Sequence, residues 1–284
     1  MPNVLEKKSK KRKYPLLDLD AYSPEEVANR VMQVGVKKNR LPGMITLILG
    51  ILGGCFISLG ALYQVVVLAN PAINDSMAAV VSPLFYAMGY IIAFITGAEI
   101  FTTNNLAVMS FASRKISLRE LVRNWTIVLF ANITGAAAIV LLFFFSGQIY
   151  LYDGQLIDEV LLLSSGKLSY TIPQMFLLGL FGNLLICSGA WLAMAGRSVT
   201  DKFLALILPL SAVPAIGFQH GAGNMFHFFL SFLILQDGQG LDLPTDITFL
   251  KTATSLVFVA IGNIAGGGFF IGLTYYFIYV RNKW

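Results

Sequence analysis

Two polar octets interrupt what would otherwise be long apolar stretches of this chain. The first is Gly-Ala-Glu-Ile-Phe-Thr-Thr-Asn at 97–104, and the second is Gly-Phe-Gln-His-Gly-Ala-Gly-Asn at 217–224. Both have Gly at the first position, Glu or Gln at the third and Asn at the eighth. Hydrocarbon cannot satisfy polar side chains or irregular backbone, so in a membrane both octets must be enclosed by protein. Matched breaks, one in each half of a chain, are typical of a transport pathway.

The composition indicates a membrane protein with several spans. Of the 284 residues, 56% are hydrophobic and 12% are charged, whereas about 25% are charged in an average soluble domain. The apolar runs are long enough to cross a hydrocarbon core of about 30 Å. We predict an all-α membrane protein with six transmembrane helices, at 43–69, 77–113, 124–146, 172–195, 203–235 and 248–280. We expect the octets to break the second and fifth helices, giving half-helices at 77–96, 105–113, 203–215 and 222–235.

Basic residues are concentrated on one side of the predicted spans. All 20 Lys and Arg residues except Lys167 and Lys251 precede the first span, lie in the second and fourth connections, or follow the last span. The positive-inside rule then predicts a multi-pass protein of the cell membrane with both termini in the cytoplasm. The basic run at 7–13 indicates a topology and lipid-surface signal, and we expect no nucleic-acid partner.

The chain divides into three parts by composition. We assign residues 1–42 to a cytoplasmic segment, residues 43–280 to the transmembrane domain and residues 281–284 to a cytoplasmic tail. In the first part, Ser-Pro-Glu-Glu at 23–26 is a capping box with Pro at the first helical position. It predicts an amphipathic helix, which is either an anchor at the membrane surface or a helix against the cytoplasmic mouth of a pore.

The two halves of the transmembrane domain share motifs in the same order. A Gly/Ala pattern that starts at Gly53 recurs at Gly182, and Asn-Ile-x-Gly occurs at Asn132 and again at Asn263. We therefore predict one repeat at 43–146 and a second at 172–280. Each repeat contains three spans, an odd number, so the second must run in the opposite direction to the first. An inverted 3+3 repeat brings the two octets together around one central path.

At these motifs the chain resembles the formate/nitrite transporter family. The motifs are Gly-Ala-Glu-Ile-Phe-Thr at 97–102, Asn183, Trp191, Gly-Arg-Ser at 196–198, Gly-Phe-Gln-His at 217–220 and Asn-Met-Phe at 224–226. The resemblance implies an aquaporin-like protomer with broken second and fifth helices, and a homopentamer with one pore in each protomer. It also implies substrates that are small monovalent anions of weak acids, such as formate, nitrite, hydrosulfide, acetate and lactate.

The resemblance also assigns roles to individual side chains. The pore or substrate residues that it implies are His220, Thr102, Asn224, Asn183 and Lys167. The constriction residues that it implies are Ile100, Phe101, Tyr90 and Val213, of which Tyr90 is more polar and Val213 smaller than the bulky apolar residues expected there. We assign a loop-structuring role to Gly97, Glu99, Gly217 and Gln219, and Gln219 stands where an acid is often found. We expect Glu99 to accept backbone N–H bonds within its loop.

Two mechanisms are open for passage through the centre of the membrane. In the first, the anion gains a proton at His220 and crosses the apolar constrictions as a neutral acid. In the second, the anion itself passes, with a neutral His220 and with Thr102 and Asn224 as hydrogen-bond donors. In both, the N termini of the half-helices would attract the anion. Lys167, which we place on an outer loop, would attract anions to the outer mouth.

Other polar features have simpler interpretations. We assign His227 to packing or to an interface. Cys55 and Cys187 lie within predicted spans and indicate free thiols. The triplet Asn-Pro-Ala at 70–72 spells an aquaporin motif, but it occurs once and outside mid-membrane, which favours a turn over a water channel.

The sequence favours a channel or transporter for a small weak-acid anion, with passage assisted by His220. Formate is the first candidate, and nitrite or hydrosulfide is the alternative. Motifs for hydrolases, metals and nucleotides are missing from the sequence, so we expect neither enzyme activity nor a cofactor. The expected partners are the anion, protons, the lipid bilayer and further copies of the chain. An intramembrane enzyme and a structural subunit of a larger complex are the competing classes.

Overall fold

The computed structural model describes residues 21–240 and 246–281. Its helices in chain order are α1 (Pro24–Asn39), α2 (Gly43–Leu68), α3 (Asp75–Thr96), a first half-helix (Phe101–Asn104, Asn105–Ala107 and Val108–Ala112), α4 (Leu118–Phe145), α5 (Gln155–Leu168), α6 (Ile172–Ala195), α7 (Val199–Ile216), α8 (Gly221–Gln236) and α9 (Phe249–Arg281). Six of them, α2, α3, α4, α6, α7 and α9, are long and apolar enough to cross a membrane. The predicted all-α fold with six membrane-spanning helices is confirmed. The basic run at 7–13 lies outside the described residues.

The two halves of the transmembrane domain pack in the same way. In the first half α2 packs against α3 and α4, and in the second half α6 packs against α7 and α9. The halves meet where α3 packs against α7 and α8 packs against α4. Glycines bring the helices close together: a Cβ at Gly135 would collide with the backbone of Ile51, and one at Gly266 with the backbone of Leu180. These two glycines are the fourth residues of the repeated Asn-Ile-x-Gly motif.

Helices α3 and α7 both end at a glycine in the left-handed conformation. Gly97 and Gly217 each have a φ of 82°, which costs a residue with a Cβ about 1–2 kcal/mol. Three non-helical residues follow each glycine, and helix resumes at Phe101 and at Gly221. The half-helices therefore begin earlier than the predicted positions 105 and 222. The reason is that Ile100 and the residue before Gly221 have extended backbone and act as N-caps.

An asparagine on α4 fastens the first octet to the core. The Oδ1 atom of Asn132 accepts a hydrogen bond from the backbone N–H of Phe101 at 3.0 Å. Its Nδ2 donates to the backbone oxygens of Glu99, at 2.9 Å, and of Gly50, at 2.7 Å. One amide side chain thus satisfies the irregular backbone that lipid could not.

The equivalent asparagine on α9 fastens the second octet in the same manner. Asn263 accepts from the backbone N–H of Gly221 at 3.3 Å and donates to the backbone oxygens of Gln219, at 3.3 Å, and Gly179, at 2.7 Å. The four equivalent positions are separated by 120 to 131 residues, as in the sequence repeat. The repeated motif is therefore the attachment point of each loop.

Helix α1 packs against the first half-helix and the C-terminal end of α6, at one end of the transmembrane domain. Its capping box forms, with Glu26 N–H donating to Ser23 Oγ at 3.3 Å and Ser23 N–H donating to Glu26 Oε2 at 2.8 Å. Its buried residues Val27, Val31 and Met32 join a hydrophobic cluster with side chains of the first half-helix and α6. Helix α1 therefore rests on protein along this face.

Helix α5 is the main element that the sequence did not predict. It covers 14 residues of a connection that we expected to be a loop, and Lys167 lies in its last turn. Its apolar face, including Leu156, Val160 and Leu161, is buried against α8 and neighbouring helices. The expectation that Lys167 lies on a loop was wrong, because a short amphipathic helix between two strongly apolar spans carries a weak periodic signal.

Two spans differ in detail from their predicted form. Helix α4 begins at Leu118, six residues before the predicted start, because Ser117 and Glu120 form a capping box ahead of its apolar part. Helix α9 is α-helical at Phe249–Asn263 and then widens to a π-helix at Ile264–Leu273. Such widenings are rare and often lie near functional sites.

Candidate functional site

A buried polar cluster joins the two octets. The side chains of Tyr90, Thr102 and His220 are each at most 2% exposed. The Tyr90 hydroxyl is 2.6 Å from Thr102 Oγ1 and is also hydrogen-bonded to His220 Nε2. Thr102 Oγ1 is 3.0 Å from the same Nε2 atom. Thr102 comes from the first octet, His220 from the second and Tyr90 from α3, so the cluster exists only when both halves are packed.

The hydrogen bonds of His220 define which of its nitrogens carries the proton. As the N-cap of α8, His220 accepts the backbone N–H of Gly223 on Nδ1 at 3.1 Å. An imidazole nitrogen that accepts from an N–H has no proton of its own, so we assign the proton of the neutral ring to Nε2. The neutral imidazole therefore directs an N–H donor at the two hydroxyls of the cluster.

Tyr86 is a member of the site that the sequence did not reveal. Its hydroxyl lies 3.3 Å from His220 Nδ1, and its side chain is 6% exposed. It precedes Tyr90 by one helical turn, and residues spaced by four share a helix face. That spacing could have identified Tyr86 as a companion of Tyr90. The resemblance implies a constriction role for Tyr90, and its hydroxyl is also part of the polar cluster.

A cavity on the α1 side of the first octet has a volume of about 300 Å³. Its lining includes Ile100 and Thr103, which flank Thr102, and the basic residues Arg30, Lys38 and Lys202. Phe101, the other constriction residue that we expected, packs edge-on against Trp125 with ring centroids 6.5 Å apart. It is not among the described residues that line this cavity.

The Glu99 carboxylate contacts two residues that line this cavity. It accepts a hydrogen bond from Asn104 Nδ2, and its Oε1 is 3.4 Å from Lys38 Nζ. Lys38 also donates to Asn104 Oδ1 at 2.9 Å. The carboxylate is therefore held by side chains, where we had expected backbone N–H groups. The reason is that Asn132 already satisfies the loop backbone, and α1 brings a counterion for the buried charge.

A second cavity, of about 520 Å³, lies on the α5 side of the second octet. Its lining includes Lys167, Glu159, Gln64, Phe218 and His227. Enclosure by protein lowers the pKa of Lys167 to about 8, because burial disfavours its charged form. Below that pH the ammonium places a positive charge at this mouth. His227, assigned from the sequence to packing or to an interface, is 2% exposed and also belongs to the lining of this cavity.

Gln219 is the counterpart of Glu99 at this second mouth. Its Oε1 accepts from Asn224 Nδ2 at 2.9 Å, and its Nε2 donates to the backbone oxygen of Lys167 at 3.3 Å. In the described parts of the chain, Lys167 forms no ion pair with a carboxylate. The first mouth thus has a neutralised lysine, while the second has a lysine without a paired acid.

The remaining predicted site residues lie around the polar cluster without joining it. Asn183 donates to the backbone oxygens of Thr102, at 3.2 Å, and Asn263, at 2.6 Å, and thereby ties the first octet to α9. Asn224 bonds Gln219, so its amide shapes the loop. Val213 is 2% exposed and belongs to the apolar cluster beside the loops.

The two cysteines are free thiols, as the sequence indicates. Cys187 is buried beside Thr102, with its Sγ 3.4 Å from the backbone oxygen of that residue. Cys55 is half-buried and lies 3.5 Å from the backbone oxygen of Gly135. The Asn-Pro-Ala triplet forms a turn, in which Asn70 Oδ1 accepts from Ala72 N–H at 2.9 Å.

Comparison with known proteins agrees with this architecture. Residues 25–277 match the family model described as formate/nitrite transporter. The chain belongs to the formate/nitrite transporter family. The resemblance stated from its motifs is therefore confirmed, and with it the transmembrane transporter class. Members of this family are channels and transporters, which supports a function other than catalysis.

Several known formate channels align with this chain over almost their full length. The formate channel FocA of Escherichia coli strain K12 is 31% identical over 276 residues, covering 93% of this chain and 96% of that protein. The formate channel BtFdhC of Bacillus thuringiensis is 32% identical over 264 residues, covering 92% and 96%. A solved structure described as a pentameric formate channel with formate bound superimposes with a TM-score of 0.76 at 33% identity, covering 84% of this chain and 98% of that one.

Proposed function

We propose that this protein conducts small monovalent anions of weak acids across the cell membrane, with formate as its main substrate. The observation that carries the proposal is the buried Tyr90–Thr102–His220 cluster, which lies where the two octets meet. Each octet also contributes residues to a cavity whose lining includes at least one lysine. The relatives named as formate channels, and the solved structure with formate bound, support the choice of substrate.

The cluster matches the hydrogen-bonding needs of a small carboxylate. The imidazole of His220 offers an N–H donor, and the hydroxyls of Tyr90 and Thr102 can each donate or accept. Such hydroxyls can donate to the oxygens of an anion or accept from the O–H of a neutral acid. The surrounding apolar side chains, including Ile100 and Val213, exclude water and make each of these bonds stronger.

His220 assists passage as a neutral hydrogen-bond donor in this proposal. Adding a second proton to its ring would require Nδ1 to give up the N–H of Gly223, the cap of α8. Losing such a cap costs about 1 kcal/mol, in addition to the cost of burying a charge. A neutral His220 that hydrogen-bonds either the anion or the neutral acid therefore agrees better with the geometry than proton transfer from His220.

The proposed orientation places the Lys38 mouth in the cytoplasm and the Lys167 mouth outside. It follows the positive-inside rule, which also puts both termini in the cytoplasm. We further propose a homopentamer with one pore in each protomer, as the description of the formate-bound relative suggests. Native mass spectrometry in detergent tests the assembly: a mass of five chains is expected, and a monomer would contradict it.

Uptake by proteoliposomes tests the substrate. Purified protein is reconstituted, and the initial uptake of formate, nitrite and hydrosulfide is compared with protein-free vesicles and in pairwise competition. We expect formate to be carried fastest and to be competed by the other two anions. Preferential transport of nitrite or hydrosulfide would overturn formate as the main substrate, and no flux of any of the three would overturn the channel assignment.

The role of His220 is tested in the same vesicles with two variants. His220→Asn retains a side-chain acceptor that can cap α8 but removes the Nε2–H donor, and we expect about a tenfold lower formate flux, equal to the roughly 1.4 kcal/mol of one hydrogen bond. Thr134→Val, which removes a hydroxyl bonded only to its own helix on an exposed face of α4, is the control. Wild-type flux in His220→Asn would contradict the assigned role.

A further inference from the structure

The second histidine lines the outer cavity and has a buried nitrogen that lacks a partner in the described part of the chain. His227 is 2% exposed, and its Nδ1 is 2.9 Å from the backbone oxygen of Gly223. Because a carbonyl oxygen only accepts, the proton of the neutral ring lies on Nδ1, and Nε2 keeps a free lone pair. Nε2 is buried and has no hydrogen-bond partner among the described residues. A buried acceptor left unpaired is costly, so this atom is suited to bind a proton or a donor from the cavity.

The peptide unit of Gly223 hydrogen-bonds to Nδ1 of both histidines, but in opposite directions. Its N–H donates to Nδ1 of His220, and its carbonyl oxygen accepts from Nδ1 of His227. A second proton on His220 would break the first of these bonds. A second proton on His227 would go to Nε2 and break none. His227 is therefore the imidazole that can gain and lose a proton without disturbing the fold.

The groups around His227 favour joint binding of a proton and an anion. The titratable groups that line the outer cavity with it are Lys167, Glu159 and Tyr170. Helix α2 contributes the uncharged Gln64 to this lining, Lys251 at the outer end of α9 is paired with Asp246, and His220 lies across the Gly223 peptide. Burial, and then the charge of Asp75, raises the pKa of Glu159.

A protonated His227 beside the Lys167 ammonium would place two positive charges in one cavity. A monovalent anion bound between them would compensate for that repulsion, so proton binding and anion binding would each favour the other. Without the anion, the same repulsion keeps the second charge out. The cavity of about 520 Å³ is large enough for a three-atom anion with water.

We propose that His227 is the proton-exchange group of the outer cavity. Its Nε2 takes a proton from the outer solution, and the resulting N–H binds the anion beside Lys167. The proton then moves to an oxygen of the anion: the Nε2–H bond breaks, an O–H bond forms on the weak acid, and His227 returns to its neutral form with a lone pair on Nε2. The neutral acid continues to the hydroxyls of the Tyr90–Thr102–His220 cluster. This inference rests on the proposed function for the identity of the anion.

The protonation of His227 can be observed directly, because the chain contains only two histidines. Protein labelled with ¹⁵N-histidine is reconstituted in lipid, and imidazole resonances are recorded by solid-state NMR with and without sodium formate. The variant His220→Asn leaves His227 as the single resonance set. We expect formate to raise the titration midpoint of Nε2 by about one pH unit, a tenfold linkage between anion and proton. An Nε2 that stays unprotonated from about pH 5 to 8, with or without formate, would overturn the proposal.

The flux experiment uses His227→Asn, which keeps an amide N–H for the Gly223 oxygen and lacks a basic nitrogen. Formate uptake is measured at fixed internal pH while the external pH is lowered. Wild-type uptake is expected to rise as the external pH falls. Uptake by the variant is expected to depend little on external pH and to be about tenfold slower than wild type at the acidic end, because one proton donor has been lost. Ser231→Ala, which removes a hydroxyl bonded to Ser164 one turn further along α8, is the control and should match the wild type.

The outcomes separate this inference from the proposed function. Formate flux with the same pH dependence in His227→Asn and wild type would overturn the proton-exchange role and leave the channel assignment intact. A wild type without formate flux, but with a His227 midpoint that formate shifts, would overturn the channel assignment and support anion-linked proton exchange.

Discussion

At the scale of single residues, the hydrogen-bond partner of each ring nitrogen decides what a buried histidine can do. His220 uses Nδ1 as an acceptor, so it directs an N–H donor into the polar cluster. His227 uses Nδ1 as a donor, so its Nε2 keeps a lone pair, and the residue is part of the outer cavity's lining. Both bonds go to Gly223, where a Cβ would collide with the Tyr86 hydroxyl. One glycine therefore permits the close packing in which both histidines acquire their roles.

The hydroxyl of Tyr90 is expected to contribute to conduction. Tyr90→Phe removes the group that contacts both Thr102 and His220. We expect a formate flux about tenfold lower in proteoliposomes, equal to the roughly 1.4 kcal/mol of one hydrogen bond. Tyr63→Phe is the control, because Tyr63 is partly exposed and its ring packs on Phe85. Equal flux in the two variants would show that the Tyr90 hydroxyl does not contact the substrate.

Lys167 is expected to make outer uptake sensitive to alkaline pH. Its pKa is lowered to about 8, so the ammonium is present below that pH and is lost as the pH rises through it. The KM for external formate should therefore rise as external pH goes from about 7 to about 9, as electrostatic attraction is lost. Lys167→Met should show the higher KM at both values. Lys251→Met, which changes a lysine paired with Asp246 outside the cavity, should retain the wild-type pH dependence.

At the scale of elements, each broken helix depends on one glycine and one asparagine. The glycine ends the first segment in a left-handed conformation, and the asparagine accepts the first N–H of the next segment. The same combination of glycine and asparagine occurs in both halves. Contacts with the helical core therefore hold both loops in place. This rigidity holds the Thr102 and His220 side chains at a fixed separation.

Replacing Gly97 by Ala is expected to destabilise the first break. Its φ of 82° is strained for any residue with a Cβ, at about 1–2 kcal/mol. We expect a lower midpoint of thermal unfolding in detergent and a lower formate flux, because Thr102 moves with the loop. Gly166→Ala is the matched control: Gly166 is helical, with open space at its Cβ position, and Ala there should be neutral or stabilising. Equal loss of stability in both variants would contradict the argument.

At the scale of the whole molecule, the inverted repeat is symmetric in backbone and asymmetric in charge. Glu99 and Asn104 bind Lys38 on α1 at one mouth, and Gln219 and Asn224 occupy the equivalent positions at the other. The helices α1 and α5 cover equivalent ends of the two halves. At the second mouth Gln219 bonds the backbone oxygen of Lys167, and that ammonium has no paired acid among the described residues.

Exchanging these two residues is expected to reverse the asymmetry. Glu99→Gln frees Lys38 from its carboxylate, so the KM for formate entering from the cytoplasmic side should fall by several-fold. Gln219→Glu should raise the KM from the outer side by a similar factor, and each variant is the control for the other. Measurements in oriented vesicles check both directions. If both variants change the KM in the same direction on the two sides, the substitutions have disturbed the structure of the loops and not only the local charge.

Much of the fold could be predicted because its signals are local. Each of these signals lies within one segment of the chain: apolar runs, positive flanks, capping boxes and glycines. Together they predict six spans with two breaks. The boundaries moved where a cap or a backbone hydrogen bond lay outside the apolar run, as at Ser117 and Ile100. The sequence did not predict helix α5, because its apolar face is short and its burial depends on packing against α8.

The sequence by itself determined the membrane class, the repeat and the family, since these depend on hydropathy, charge placement and motifs along the chain. Only the tertiary structure decided which polar groups meet. Tyr90 contacts His220, which lies 130 residues further along the chain. His227 shares a cavity with Lys167, and Lys167 lies on α5, a helix that the sequence did not predict. Hydrogen bonds fix the state of an imidazole through partners supplied by other elements. The chemistry of the two histidines therefore follows from packing, while their presence at the second break follows from sequence.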